Sequence, residues 1–386
     1  MVGVLARYDP ECDQNNDSNE TEEHTTTGHP LAQSFQPGED WLWYSIDQVM
    51  LAPTEERGTR TDKGDYMNAQ QTANDSALPD IWPALPLAAW QDTYTTLHMW
   101  TQIVGKVRLV LSPPVNHWWS STLYLTSRGL STAPIPYGRR TFEVSFDFVD
   151  HNLLIHTSDG TSKALGLFPR SVADFYREFM SALRSLNLEV TINPLPQEVP
   201  NPVPCDEDEI HTSYDAVYAH TFWRILVQVD RVFKQFRAPF IGKCSPVHFF
   251  WGSFDLAVTR FSGRPAPPRP GADRITREAY SHEVISCGFW PGSGPVQEPA
   301  FYAYAAPAPT GLAGATIRPA SAWYSNELGE FLLRYDDVRQ AADPDACLLA
   351  FLQSSYEAAA NLAGWDRAAL ERPAPAARES GALHDG

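Results

Sequence analysis

Gly242-Lys243-Cys244-Ser245-Pro246-Val247-His248-Phe249-Phe250-Trp251-Gly252-Ser253-Phe254-Asp255-Leu256-Ala257-Val258-Thr259-Arg260-Phe261-Ser262-Gly263-Arg264 packs the densest apolar run of the chain around a few ionisable residues. From Val247 to Phe261 apolar residues fall on both faces, the pattern of one long strand covered on both sides. Such a strand tolerates charge poorly. His248, Asp255 and Arg260 each require a partner or a solvated pocket, because an unpaired buried charge costs several kcal/mol. Gly252 sets the parity: with a bulge there, His248 and Asp255 share a face, and without one His248 and Arg260 do.

The same order of residues occurs upstream, where Gly105-Lys106 precedes Ser112-Pro113-Pro114-Val115-Asn116-His117-Trp118-Trp119 and a segment closing in Leu123-Tyr124-Leu125-Thr126. In both places an aromatic-rich helical pattern runs into Gly-Lys, Ser-Pro, Val and His, then paired aromatics. The pattern reads as an internal repeat, a duplicated domain with His117 and His248 at equivalent strand starts.

Outward from these two stretches, the strand candidates are Val107–Leu111, Trp118–Thr126, Phe142–Phe148 and Leu153–Thr157 in the first part. Phe142, Val144, Phe146 and Phe148 alternate with polar residues, the signature of a half-buried antiparallel strand. A helix ending at Gly105 carries Trp90, Tyr94, Leu97 and Val104 on one face, and another starts at Ser171 with Asp174 placed to complete a cap. Asp215 to Phe236 forms the longest amphipathic stripe, and Asp343, Pro344 and Gly364 bound the last helix. Strands are also predicted at Ser281–Gly292, Phe301–Ala305 and Glu330–Tyr335. The fold class is therefore α+β: antiparallel sheets with flanking helices, two related halves packed as one body.

Residues 1–80 read as a disordered acidic extension, 81–193 as the first half, 194–210 as an extended Pro-rich linker with a solvated acidic end, 211–370 as the second half, and 371–386 as a disordered tail. Within 386 residues of net charge −18, residues 1–80 hold sixteen acidic against four basic side chains, so −12 falls there and −6 on the remainder. So polar a segment buries too little to offset its ordering entropy, and Met67 is a candidate translation start. An acidic body disfavours nucleic acid and anionic membrane surfaces. Cys12, Cys205, Cys244, Cys287 and Cys347 form no CxxC pair and read as free thiols of a cytoplasmic protein. No apolar run reaches the roughly 18 residues of a membrane span.

Trp82-Pro83-Ala84-Leu85-Pro86, His248 to Leu256, Thr259 to Arg264, His282-Glu283 and Gly288-Phe289-Trp290-Pro291-Gly292 together give the chain a specific likeness. Over roughly residues 82 to 370 it resembles a bacterial family of unknown function, domain of unknown function 5996. The resemblance carries no assigned activity or catalytic residue.

Candidate chemistry rests on the ionisable residues inside apolar stretches. A functional reading gathers them into one aromatic-lined pocket for a small organic molecule. His248, His282, Glu283 and Asp255 are the candidate catalytic residues, with His248 as general base or ligand. Arg260 would hold an anionic group, or else pair internally with Glu283 or Glu330. His117, Trp119, Trp251, Trp290, Tyr302 and Tyr304 complete the candidate binding set. His117, His248, His282 and Glu283 are acceptable metal ligands, yet no HExxH or close His pair occurs, so neither a metal nor a cofactor is assigned. A non-catalytic binding module or a protein-interaction module is the alternative, and the oligomeric state is open.

Overall fold

The computed structural model describes residues 80–373. The expectations for the acidic extension and for most of the tail fall outside those residues. Glu371, assigned to the tail, is part of the fold: it accepts from the Tyr356 hydroxyl at 2.8 Å and from Arg367 Nε at 2.6 Å.

Helix α1 (Leu87–Leu111) continues through Gly105 and takes in the predicted strand at 107–111. Ile103, Val104 and Val107 are fully buried, so the apolar stripe continues past the glycine. A glycine inside a helix costs about 1 kcal/mol relative to alanine. Here it makes room, because a Cβ at position 105 would lie 2.4 Å from the Trp251 indole.

A 3₁₀ turn, Asn116–Trp118, follows, with His117 at φ 60°. The first sheet then runs through β1 (Tyr124–Leu125), β2 (Gly129–Ser131), β3 (Ile135–Tyr137), β4 (Arg140–Asp147), β5 (Asn152–Thr157) and β6 (Ser162–Gly166), ordered β1-β2-β4-β5-β6 with β3 also on β4. Helix α2 (Val172–Ser185) is capped by Ser171, whose hydroxyl accepts from the Asp174 N–H, and α3 (Ala216–Arg237) by Asp215. The alternating strand and both capped helices match the sequence reading. The strand expected at 118–126 does not, since most of it is turn.

The second sheet comprises β7 (His248–Phe250), β8 (Asp255–Pro265), β9 (His282–Trp290), β10 (Ala300–Ala306), β11 (Trp323–Ser325) and β12 (Glu330–Arg334), ordered β11-β12-β10-β9-β8-β7 and antiparallel throughout. Short α4 (Arg274–Ala279) precedes β9, and α5 (Tyr335–Arg339), α6 (Pro344–Leu362) and α7 (Arg367–Leu370) close the described chain. The architecture is α+β.

The expected single strand from Val247 to Phe261 is instead a hairpin. Residues 251–254 turn, with Phe254 at φ 57°, and β8 returns antiparallel so that His248 faces Ala257 and Phe250 faces Asp255. His98 in α1 pins the turn: its Nε2 lies 3.0 Å from the Trp251 carbonyl and 2.9 Å from that of Gly252, so it is the donor. Cross-strand partners share a face. His248 and Asp255 therefore do share one, by a hairpin and not by a bulge, while Arg260 falls on the other.

That second face, with Phe249, Leu256, Val258, Ile285 and Phe301, is buried beneath α3 and α6. The two sheets meet where Leu123 and Phe249 exchange backbone hydrogen bonds of 2.9 and 2.8 Å. His117 and His248 are not equivalent strand starts: one sits in a left-handed 3₁₀ turn ahead of β1, the other opens β7 in a ladder. The motif alignment fails because Ser-Pro leads into a tight turn in one place and directly into a strand in the other.

Candidate functional site

The side of the β8-β9-β10 ladder facing away from α3 and α6 forms the floor of a cavity of about 210 Å³, walled by Trp119, Phe250, Trp251, Tyr280, Tyr302 and Tyr304. Asp255, 2 % exposed, lies on this floor. Its Oδ1 accepts from the Ser253 hydroxyl and its Oδ2 from the Tyr302 hydroxyl. Tyr302 reaches Asp255 across β9 because position 288 is glycine: a Cβ there would lie 2.2 Å from the Tyr302 ring. Burial raises the Asp255 pKa and the two hydroxyl donors oppose the rise. Burial holds Tyr302 well above the usual phenol range, so it stays a donor. Higher on the wall the Tyr280 and Tyr304 hydroxyls are 3.1 Å apart.

Sequence reasoning missed the second carboxyl, Glu198. It lies in the Pro-rich segment expected to be a linker, which is instead a strap bound to α1. Gln102 donates to the Gln197 carbonyl at 2.7 Å and accepts from the Gln197 N–H at 2.9 Å, while Lys106 donates to the Leu195 carbonyl at 2.8 Å. The acidic end is exposed at Asp206, Glu207 and Glu209, as expected, but Asp208 is 1 % exposed and accepts from His211 Nδ1 at 2.7 Å. Glu198 is exposed as a residue, while its carboxyl lies against Gly252. It borders the aromatic cavity and also a second one of about 540 Å³, which Tyr94, His98, Trp290 and Glu330 line. The Glu198 pKa is raised to about 7, by burial first and then by the charge of Asp255.

Of the residues selected from sequence, His117, Trp119, Trp251, Asp255, Tyr302 and Tyr304 line the aromatic cavity, and Trp290 lines the second one. His117 contributes its ring alone, since Nδ1 meets the Ala279 carbonyl at 3.2 Å and Nε2 meets Lys243 Nζ at 2.7 Å. Its ring lies 5.7 Å from that of His282, whose Nδ1 is 3.1 Å from the Ser281 hydroxyl.

The other candidates lie elsewhere. His248 is sealed behind Trp119 and Tyr124, ring centroids 5.6 and 5.4 Å away, and neither ring nitrogen has a hydrogen-bond partner. Burial, with Arg108 and Arg237 nearby, pushes its pKa down to about 3. Glu283 pairs with Arg264 at 2.7 Å. Arg260 does not pair with Glu283: it donates to the Phe236 carbonyl and lies over the rings of Phe236, Tyr356 and Phe240, at 3.5, 4.2 and 4.9 Å. Glu330 lines the second cavity, across the sheet from Arg260. Strand parity separates this arginine from the site.

Among the described residues no group of three or more His, Cys, Asp or Glu converges as a metal centre. No described helix is long and apolar enough to cross a membrane. Asp255 and Glu198 instead give the cavity a hydrogen-bonded acid on its floor and a second acid at its edge, the arrangement that accepts, donates or neutralises a proton or a positive group.

Neither a curated protein nor a solved structure matches the chain. Residues 82–372 match one family model, and the chain belongs to the family of unknown function DUF5996.

Proposed function

We propose that the protein binds a small organic molecule in the aromatic-lined cavity over β8, β9 and β10, with Asp255 and Glu198 as its ionisable contacts. One observation carries this reading: a buried carboxyl, hydrogen-bonded by Ser253 and Tyr302, forms part of the floor of an open space with aromatic walls. Ligand sites have this composition, mostly apolar walls with a few converging polar groups. Catalysis is the stronger form of the reading. A carboxyl raised to about 7 is suited to proton transfer near neutral pH, so Glu198 takes the acid–base role first assigned to His248. Free thiols at Cys205, Cys244, Cys287 and Cys347 support a reducing compartment such as the cytoplasm.

The test is a ligand screen on the full chain, read by tryptophan fluorescence and thermal shift, with Ala257→Trp as the blocked control. Ala257 lines the cavity, so an indole there fills it. Compounds that shift the parent and not the blocked variant support the reading; shifts that survive the block, or none at all, sink it. Turnover of a bound compound, followed by NMR and lost in Glu198→Gln, separates an enzyme from a binder.

A further inference from the structure

The two cavity carboxyls differ from most buried acids in their company. Among the described residues no lysine or arginine forms an ion pair with Asp255 or Glu198; the charge of Asp255 raises the pKa of Glu198 and of Tyr94, and that of Glu198 raises the pKa of Tyr280. Three cations beside the cavity lie over its aromatic residues. Lys243 lies over Phe261 at 4.6 Å and Trp119 at 5.4 Å, Arg269 over Tyr280 at 4.3 Å, and Arg274 over Trp118 at 5.7 Å. These rings already show the attraction of an aromatic face for a positive charge. The protein carries a net charge of −18, which favours the approach of cations and opposes that of anions.

Resting on the pocket reading above, we propose that the ligand is a small organic cation: a protonated amine on a single-ring body, its ammonium set between Asp255 and Glu198 and its ring among Trp251, Tyr302 and Tyr304. A positive group offsets the repulsion that Asp255 exerts on Glu198, which a neutral hydroxyl ligand leaves in place and an anion worsens. Size is consistent. A protein cavity of about 150 Å³ holds benzene, and this one, about 210 Å³, has room for a ring with a short amine arm.

The experiment titrates the full chain at mildly alkaline pH with phenethylamine, 2-phenylethanol and phenylacetate, three probes of similar size, following tryptophan fluorescence and calorimetric heat. Phenethylamine is expected to bind at least about tenfold more tightly than the alcohol, the scale of a desolvated cation–aromatic contact, with phenylacetate weakest. Asp255→Asn is expected to lower amine affinity about tenfold, and by more than it lowers affinity for the alcohol. Glu198→Gln, at the cavity edge, supplies the same comparison if the Asp255 variant does not fold. If 2-phenylethanol or phenylacetate binds as tightly as the amine, the cation inference is overturned while the pocket reading stands. If none of the three binds, and the broader screen is equally silent, both fall.

Discussion

Arg260 shows what a buried guanidinium does with no carboxylate in ion-pair contact among the described residues. It lies at 1 % exposure against the last turn of α3, donates to the Phe236 carbonyl, and spreads its charge over three aromatic faces. Carbonyls at a helix C-terminus carry partial negative charge, which favours a cation there. Burial lowers its pKa. Because no carboxylate would be stranded, Arg260→Met is expected to stay within about 1 kcal/mol of the parent, whereas Arg260→Ala, which leaves a void, is expected to lose about 3 kcal/mol. Urea denaturation checks both; a loss of about 3 to 5 kcal/mol in the Met variant would reveal a paired acid. His248 is a parallel case, a neutral ring held among aromatics with both nitrogens unpartnered.

At the scale of elements, the β7–β8 hairpin and the strap over α1 build the site together. The hairpin brings Ser253 beside Asp255, and the strap sets the Glu198 carboxyl against Gly252, where a Cβ would lie 2.6 Å from Oε1. Glu198 is raised from 4.5 to about 7 in the folded chain, so the folded state holds an extra proton between those values. The stability tied to that proton is fully present below about pH 4.5 and is lost as pH rises through about 7. Thermal midpoints measured across that range should therefore fall more steeply in the parent than in Glu198→Gln, and at pH 8 the variant should be the more stable of the two. Superimposable curves would mean the carboxyl is solvated and the strap does not enclose it.

For the molecule as a whole, α1 ties the two sheets into one cooperative body. Its Trp100 stacks on Phe175 of α2 at 4.7 Å, while its Trp90 meets Phe222 of α3 at 5.2 Å and its Tyr94 meets Phe254 in the hairpin turn at 5.1 Å. Trp251 donates to the Ser121 carbonyl at 2.7 Å, fastening the second sheet to the turn before the first. A fragment of residues 211–373 would expose the faces of α3 and of the hairpin that these residues cover. It is expected to melt without a sigmoidal transition, whereas the full chain unfolds in one main step. A cooperative melt of the isolated fragment would show that the halves are independent.

Local physics made much of this protein legible from sequence. The caps at Ser171, Asp215 and Asp343 depend on hydrogen bonds spanning at most three residues, and the alternation through Phe142 to Phe148 depends on strand pleat alone. Asp255, Trp119, Trp251, Tyr302 and Tyr304 were recognisable as an aromatic and acidic set because they lie in apolar stretches that had to be covered. Tertiary structure alone decided the rest. A turn at Gly252 reversed the strand and set His248 on the face of Asp255, whereas an unbroken strand would have set it on the face of Arg260. Glu198 reached the cavity of Asp255 only because side chains of α1 bind the strap's backbone, and a contact made by main-chain groups leaves no pattern in the residues that supply them.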